Sequence, residues 1–296
     1  MTTGRPGIFK NPSAKLASIP MVLTVLVVFI GCSLWTVSYS FTNSRLLPNG
    51  DFVGLAQYER LWSTSRWLVS IENLMIFGGL YMTLAIVLGF ILAALLDQKI
   101  RFEDAFRTVL LYPFALSFIV TGATWQWMLN PDFGLQKIVR DLGFESFTFN
   151  PLFNPEIAIY GVLLAALWHG TGLIMVLMLA GLRSVDEDIW KATRVDGVPA
   201  WRTYLFVVIP IMRPVFVTAI VLLATQILKV YDLVVAQTAG GPGIATEVPA
   251  KYVYDNMFNN QNIGQAFAAS TMMLLMVMVI LVPWIYTEYG RGGNRG

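Results

Sequence analysis

Six polar side chains lie within apolar stretches of this 296-residue sequence, and they are the residues best placed to bind a ligand or to react in an apolar environment. A polar group in hydrocarbon is costly, so it usually faces a cavity or bonds to a neighbouring helix. The set comprises Asn73, Gln126, His169, Thr171, Gln226 and Thr271. A satisfied hydrogen bond between helices is the alternative for each one, and the sequence leaves both interpretations open.

Catalytic and metal chemistry find little support among the residue types present. His169 is the single histidine and Cys32 the single cysteine, so these residues cannot build a ligand cluster. The sequence contains no HExxH, GxSxG or GxxxxGK[ST] motif. Four carboxylates near apolar stretches lie toward their ends, namely Glu72, Asp97, Asp232 and Glu288. The pattern favours binding or transport over catalysis.

Composition indicates the class of protein. Hydrophobic residues make up 56% of the chain and charged residues 13%, against about 25% charged in soluble domains. We therefore predict an all-α integral membrane protein. The net charge of +2 is too small to indicate a nucleic-acid partner.

Six apolar stretches are long enough to cross a bilayer, which takes about 20 helical residues. They lie near 18–40, 70–96, 107–129, 157–182, 204–228 and 264–287. A basic start with Arg5, Lys10 and Lys15 raises the possibility of a signal peptide. The first apolar stretch is longer than a signal core and no small-x-small cleavage site follows it, so we predict an uncleaved first span.

The lysine and arginine residues predict the orientation. They are more numerous in the N-terminal segment, the second and fourth connecting segments and the C-terminal tail than in the alternate segments. Both termini are then cytoplasmic. The prediction comprises an N-terminal segment 1–17, a transmembrane domain 18–288 and a C-terminal tail 289–296. The outer loops 41–69, 130–156 and 229–263 are long enough to form a docking surface.

The cytoplasmic loop at about 183–203, between spans four and five, encodes a helix of its own. Ser184 and Glu187 have the spacing of a capping box. Acidic residues follow in the first turn and basic residues later, which suits the helix dipole. Gly197 supplies a C-terminal stop. These features predict a helix over 185–196.

Apolar residues form one narrow stripe on this helix, at Val185, Ile189, Ala192 and Val195. A membrane-surface helix usually pairs large apolar residues with a basic face, whereas this helix has small residues and mixed charge. We therefore favour a groove in a partner protein. Packing on its own helical bundle is the alternative.

This loop resembles the EAA loop of permease subunits from ATP-binding-cassette importers. The family pattern is Glu-Ala-Ala, three residues, glycine, nine residues, then Ile-x-Leu-Pro. The matching positions are Lys191, Ala192, Thr193, Gly197, Val207, Ile209 and Pro210. Lys191 replaces the family's glutamate, so an ionic contact made by that glutamate does not carry over.

The Asp196–Gly197 pair, with Trp201 following, narrows the resemblance to maltose-type sugar permeases, and a second stretch, "TAGGPG", is similar to another hallmark of that family. Thr238, Gly240, Gly241 and Pro242 match a turn of that family in the last outer loop. Gly264 and Ala266 match the start of its last span. Motifs matching in order along nearly the whole chain carry the resemblance, and the turn is implied to dock a binding protein.

The resemblance implies a transport subunit and not an enzyme. An extracytoplasmic sugar-binding protein delivers cargo, a second homologous permease completes a heterodimer, and two ATPase subunits bind ATP and Mg, so this chain binds no cofactor. The expected location is the bacterial cytoplasmic (inner) membrane, which the chain crosses several times. Contact with the ATPase is expected at a small set of residues, namely Ile189, Lys191, Ala192, Asp196 and Gly197.

Candidate residues of a sugar path come from the polar and aromatic residues of the spans. They are Asn73, Gln126, Trp168, His169, Gln226 and Tyr231. His169 beside Trp168 joins a polar donor to an aromatic face, which suits a sugar ring, although it also suits ordinary helix packing. An ion-coupled secondary transporter is the alternative function, and such proteins often have broken spans and mid-membrane carboxylates.

Overall fold

The computed structural model describes residues 12–98 and 101–292, with the side chains of 18–98 and 101–279. In these residues no β-strand forms, and the extended pairings are two isolated bridges, Thr42 with Phe52 and Arg45 with Leu47. The chain divides into two compact units, residues 1–64 with 253–296 and residues 65–252. The prediction of an all-α fold with several apolar helices is confirmed.

Fifteen α-helices and four 3₁₀ or π segments follow one another along the described chain. The α-helices are α1 (Pro12–Thr24), α2 (Cys32–Tyr39), α3 (Ala56–Ser63), α4 (Ser65–Leu96), α5 (Glu103–Leu111), α6 (Phe118–Met128), α7 (Leu135–Asp141), α8 (Ala158–Arg183), α9 (Glu187–Val195), α10 (Ala200–Thr203), α11 (Ile209–Ile211), α12 (Arg213–Leu228), α13 (Tyr231–Thr238), α14 (Pro249–Tyr254) and α15 (Ile263–Gly292). The 3₁₀ segment is Tyr112–Ala115, and the π segments are Val25–Gly31, Tyr204–Val208 and Asp255–Asn259.

Three predicted spans coincide with helices long and apolar enough to cross a bilayer alone. These are Ser18–Tyr39, Ser65–Leu96 and Ala158–Arg183. In the most apolar 18-residue stretch of the first helix, no residue is buried. In the corresponding stretch of the third helix, 61% of the residues are buried. The first helix is thus uncovered by the rest of the described chain, while α8 is mostly buried in it. The last predicted span coincides with α15.

The predicted spans 107–129 and 204–228 are wrong as continuous helices. Glu103–Ala115 and Phe118–Met128 meet at 101°, and Ala200–Ile211 and Arg213–Leu228 meet at 74°. At the first break, Ser117 starts α6 by accepting a hydrogen bond from the Val120 N–H at 3.2 Å. At the second break, Met212 lies between Pro210 and Pro214, where the proline rings disrupt helical hydrogen bonding. Hydropathy detects apolar length but not these changes of direction.

Unit 1 is held by aromatic packing and by one close backbone approach. Trp35 and Tyr39 of α2 contact Phe267 of α15, with both rings 6.4 Å from it. Gly264 donates its N–H to the Ser44 carbonyl at 2.9 Å. A Cβ at Gly264 would lie 2.5 Å from the Thr42 carbonyl oxygen. The glycine that the sequence marked at the start of the last span is therefore required by its contact with the backbone of Thr42 and Ser44.

Unit 2 is built around the contact of α4 with α8, where glycines let the helices approach closely. A Cβ at Gly89 would lie 2.7 Å from Ile174 of α8. A Cβ at Gly170 would overlap the hydroxyl of Tyr81, which donates to Gln226 Oε1 at 2.6 Å. Small residues at such contacts are typical of helices packed in membranes, where dispersion forces between backbones hold them together. One buried tyrosine thereby joins α4, α8 and α12.

We predict that Gly170→Ala destabilises the protein whereas Gly79→Ala does not. The added methyl group at position 170 collides with Tyr81, and overpacking of this kind costs about 1–3 kcal/mol. A Cβ at Gly79 meets nothing within 4 Å, so this helical alanine is neutral or slightly stabilising. Thermal unfolding of the two variants in detergent, followed by size-exclusion chromatography, measures the difference. Equal melting temperatures would contradict the proposed close packing.

Candidate functional site

The helix α9 begins two residues later than its sequence indicates, and the predicted capping box is wrong. Asp186 caps the helix by accepting from the Asp188 N–H at 2.9 Å. Ser184 instead donates its hydroxyl to the Gly181 carbonyl at 2.7 Å. Its own N–H also bonds to Gly181, so Ser184 completes the end of α8. Val185 and Asp186, which the prediction placed in α9, therefore belong to the turn between α8 and α9.

The end of α9 at Gly197 is confirmed. Gly197 has φ of +68°, a conformation that favours glycine. Its N–H bonds to the Arg194 carbonyl at 3.2 Å, and the Val198 N–H bonds to the Thr193 carbonyl at 3.0 Å. These two hydrogen bonds form a Schellman motif, which satisfies the last carbonyls of the helix. The chain therefore reverses sharply after a rigid helix of nine residues.

The predicted apolar stripe is only partly present on α9. Val185 precedes the helix and is buried at the end of α8. Ile189 is half-buried, Ala192 is exposed and Val195 is 87% exposed. Unit 2 therefore leaves Ala192 and Val195 open to a partner.

Charged residues of α9 pair with one another. Lys191 Nζ lies 3.0 Å from Asp188 Oδ1 and 3.7 Å from Glu187 Oε2. All three side chains are largely exposed, so the pairs add little stability. They nevertheless place the positive charge of Lys191 against acidic neighbours of the same helix.

Trp190 connects α9 to the transmembrane helices, and the sequence analysis missed this role. Its ring packs edge-on against Tyr204, with centroids 5.4 Å apart. Tyr204 packs against Phe90 of α4 at 6.1 Å, and Phe90 lies 5.9 Å from Phe216 of α12. We call these four residues the aromatic relay. The signal available in the sequence was the large tryptophan on a helix whose other apolar residues are small.

Ion pairs of Arg183 stabilise the end of α8, just before α9 begins. Its guanidinium lies 2.6 Å from Glu103 at the start of α5 and 3.6 Å from Asp97 just after α4. The last turn of α8 is thereby joined to two other helices immediately before α9 begins. The end of α8 next to α9 is consequently connected by ion pairs to the start of α5 and to the segment after α4.

The predicted outer turn forms a compact structure, which we call the outer turn (residues 238–246). Gly240 has φ of +91°, and the Gly241–Pro242 peptide is cis. Thr246 donates its N–H to the Gly240 carbonyl at 3.1 Å and its hydroxyl to the Gly241 carbonyl at 3.0 Å. Thr238 reaches the Thr246 hydroxyl at 2.7 Å. Thr238, Gly240, Gly241 and Pro242 are thus brought together as one unit.

A buried carboxylate, Glu247, supports the outer turn. It is 1% exposed and contacts Arg66 at 2.9 Å and Lys251 at 3.6 Å. In these three residues, which we call the Glu247 cluster, one buried carboxylate pairs with two cations. Glycine is favoured at position 240 by its positive φ, and a Cβ there would also lie 2.7 Å from the flexible end of the Lys251 side chain. The Glu247–Lys251 spacing was a readable signal, but Arg66 lies 181 residues away.

Asn73, a predicted path residue, is engaged in this support. Its amide nitrogen donates to the Ala245 carbonyl at 3.0 Å and to the Glu247 carbonyl at 2.9 Å. The side chain is buried and ties α4 to the outer turn. These contacts give Asn73 a structural task, although its acceptors lie in the loop before α14 and not on a neighbouring helix.

His169 packs against the break in the third apolar segment. Its Nδ1 lies 3.2 Å from the Thr121 hydroxyl, and its ring lies 4.5 Å from Phe118 and 5.6 Å from Phe114. It is 4% exposed. The contacts agree with a packing role, whereas the neighbouring Trp168 is exposed and meets Trp125 edge-on at 6.1 Å.

The remaining polar candidates are distributed over the fold. Gln226 accepts from Tyr81, and Tyr231 is half-buried at the start of α13. Thr271 donates to the Phe267 carbonyl of its own helix at 2.8 Å. The buried Thr171 hydroxyl has no hydrogen-bond partner among the residues described. Groups of three or more potential metal ligands are also lacking in that part of the chain.

Gln126 lies in a cavity of about 350 Å³ together with Thr238 of the outer turn. The cavity, which we call the outer cavity, is further lined by Trp127 of α6, by Asn130 and Phe133 of the segment after α6, and by Phe153 and Gln237. Its walls combine aromatic rings with side-chain amides. Of the predicted path residues, it contains only Gln126.

Comparison with known proteins shows that this chain is similar to transport proteins. Residues 113–287 match the family described as binding-protein-dependent transport system inner membrane component. A probable ABC transporter permease protein of Pyrococcus horikoshii is 35% identical, covering 96% of this chain and 98% of that protein. A xylose/arabinose import permease of Haloferax volcanii is 34% identical, covering 95% and 89%. A trehalose/maltose transport system permease of Thermococcus litoralis is 28% identical, covering 93% and 92%.

A solved structure shares the fold. A chain from a bacterial ABC transporter involved in the import of the acidic polysaccharide alginate superposes with a TM-score of 0.79. The match covers 98% of each chain at 16% identity. Identity this low establishes the shared fold alone.

We predict that Glu247→Gln loosens the outer turn. The change keeps the shape of the side chain but removes the negative charge that Arg66 and Lys251 contact. Breaking a buried pair costs about 3–5 kcal/mol, and the 30% exposure of Arg66 reduces our expectation to about 2 kcal/mol. Thermal unfolding and hydrogen exchange of residues 238–252 measure the effect. Glu156→Gln, at an exposed position, is the matched control, and equal exchange in both variants would contradict the role of Glu247.

Proposed function

This chain belongs to the family of binding-protein-dependent transport system inner membrane components, and we propose that it is the permease subunit of an ATP-driven sugar importer. As a family member it is a multi-pass membrane transport component and not a catalyst. The sugar assignment is supported by relatives named for xylose and arabinose or for trehalose and maltose import. The cargo is accordingly a sugar or a sugar derivative.

The main structural support is the rigid helix α9, which presents Ala192 and Val195 and is anchored by Trp190. We propose that α9 docks in a groove of an ATPase subunit, with Ile189, Lys191, Ala192, Asp196 and Gly197 at or beside the contact. A rigid helix transmits displacement that a flexible loop would absorb. The aromatic relay then carries this displacement to α4 and α12.

The proposed assembly has further components. A sugar-binding protein docks at the outer turn, a second homologous permease completes a heterodimer, and two ATPase subunits hold ATP and Mg. The proposed topology has six spans with both termini cytoplasmic, the two bent segments each counting as one span. The location in a bacterial cytoplasmic membrane stays a prediction from the sequence.

An ion-coupled secondary transporter is not supported by the family match. Broken spans were expected to distinguish that class, but the two bends in this fold show that the criterion does not separate the classes here. Family membership therefore decides between them.

We predict that sugar uptake needs every proposed partner. Proteoliposomes containing both permeases, both ATPase subunits, the binding protein and ATP should accumulate sugar. Omission of ATP or of the ATPase subunits should abolish uptake, because this sequence contains no Walker-type motif to bind nucleotide. The control preparation contains the permeases alone with an imposed proton or sodium gradient. Uptake in that control would favour the ion-coupled alternative and contradict our proposal.

We predict that Gly197→Val uncouples ATP hydrolysis from transport. Valine at a positive φ costs about 1–2 kcal/mol, which unravels the end of α9. Sugar-stimulated ATPase activity and uptake should fall at least about tenfold, with membrane insertion intact. Gly143→Val is the matched control because Gly143 also has a positive φ but lies in an outer loop. Normal stimulation in the Gly197 variant would count against docking through α9.

A further inference from the structure

We propose that the outer cavity is a binding site for a neutral sugar, distinct from the predicted contacts of Trp168, His169, Gln226 and Tyr231. The inference rests on the proposed function, since it assigns a stage of sugar transfer to this cavity. Its volume of about 350 Å³ lies at the small end of the usual range for ligand sites, about 300–1,000 Å³. A mono- or disaccharide is therefore the ligand class that fits.

Aromatic rings provide the first observation. Trp127 is 70% exposed, Phe133 61% and Phe153 63%, although each belongs to the cavity wall. The C–H faces of a pyranose ring pack on aromatic rings, while its hydroxyl groups need hydrogen-bonding partners at the edge. Three rings from two separate segments of the chain surround the cavity and offer faces of this kind.

A buried amide provides the second and independent observation. Gln237 is 0% exposed, and its Nε2 donates to the Gly161 carbonyl at 2.9 Å. That hydrogen bond fixes the amide, yet its Oε1 is buried without a partner among the residues described. A buried acceptor left unsatisfied costs about 1–3 kcal/mol. Gln237 belongs to the cavity wall, so a small movement of the wall that uncovers this oxygen would let a ligand hydroxyl donate to it and remove that cost.

The side-chain chemistry of the cavity selects against anions. The eight residues described as lining it include no charged side chain, whereas sites for phosphate or carboxylate usually use arginine or lysine. Gln126 and Asn130 add amides that both donate and accept. Neutral polyhydroxyl compounds match this combination of groups.

Tight packing around glycines forms the cavity in advance. A Cβ at Gly122 of α6 would lie 2.7 Å from Ala236 of α13, so these two helices are in close contact. A Cβ at Gly161 of α8 would lie 2.9 Å from Pro151, which precedes Phe153. These contacts hold the backbone beside the cavity in place, which lowers the conformational entropy lost when a ligand binds.

Protection of an introduced thiol in the cavity tests the proposal. The assembled importer in nanodiscs carries Cys32→Ser and Leu152→Cys, Leu152 being another wall residue. Maleimide labelling is measured with millimolar maltose, trehalose, xylose or arabinose, and separately with glycerol 3-phosphate. We expect at least one neutral sugar to slow labelling, and the phosphate compound not to. Absence of protection by all four sugars, or equal protection by glycerol 3-phosphate, would overturn the proposal.

Variants of the wall separate the site from general effects. Trp127→Ala should raise the sugar concentration for half-protection by roughly tenfold, and Trp127→Phe should largely restore it. Phe144→Ala, an exposed aromatic position outside the cavity, should leave it unchanged. In the importer with its native cysteine, Trp127→Ala should raise the uptake KM with little change in kcat. An unchanged half-protection concentration and KM would overturn the proposal.

Failure of this site and failure of the proposed function give different results. If the same preparations take up sugar with ATP, but sugar does not protect the introduced thiol of the Leu152→Cys variant, the site is rejected and the importer function stands. Loss of all ATP-dependent uptake with every partner present would reject the function itself.

Discussion

The close contact of α4 with α8 is the interaction on which the rest of unit 2 depends. Gly89 and Gly170 let the two helices approach until side chains of one meet the backbone of the other. In a bilayer, lipid surrounds the apolar surface, so this packing replaces much of what the hydrophobic effect supplies in water. Tyr81 then uses its hydroxyl to join Gln226 of α12 to the same contact.

The helix α4 contacts the two candidate functional regions of unit 2, one near each of its ends. Near one end, Asn73 binds the chain after the outer turn; near the other, Phe90 belongs to the aromatic relay. These two residues are separated by about 25 Å along a continuous helix. One rigid helix thus contacts both the support of the outer turn and the anchor of α9. This arrangement offers a physical connection between the two regions where the importer should meet its partners.

Sequence patterns predicted where helices form better than they predicted bends within apolar segments or contacts between residues far apart in the chain. Apolar length located Ser18–Tyr39, α4 and α8, and Gly197 was recognised because a left-handed residue ends many helices. The bends near Leu116 and Met212 were missed because hydropathy is unchanged when an apolar segment turns. Pro113, Pro210 and Pro214 were the signals that a local inspection could have used.

Within the candidate site, local spacing predicted the outer turn but not its support. Glu247 and Arg66 meet only after folding, so no periodicity identifies their pair. Ser184 fitted a capping pattern, yet Asp186 provided a competing cap closer to the helix start. Asn73 and His169 were noticed as costly polar groups, and the fold gives them protein partners. Polar residues in spans therefore indicate constraint more directly than they indicate cargo.

The pairing of Lys191 with Glu187 and Asp188 determines what kind of surface α9 presents. Each of these side chains is largely exposed, so solvent screens the pairs and they hold the helix together only weakly. They nevertheless place a cation within one turn of two acids, so this face of α9 is a mixed-charge patch and not an isolated positive charge. Recognition of such a patch depends on the geometry of alternating charges more than on net charge, and added salt weakens it.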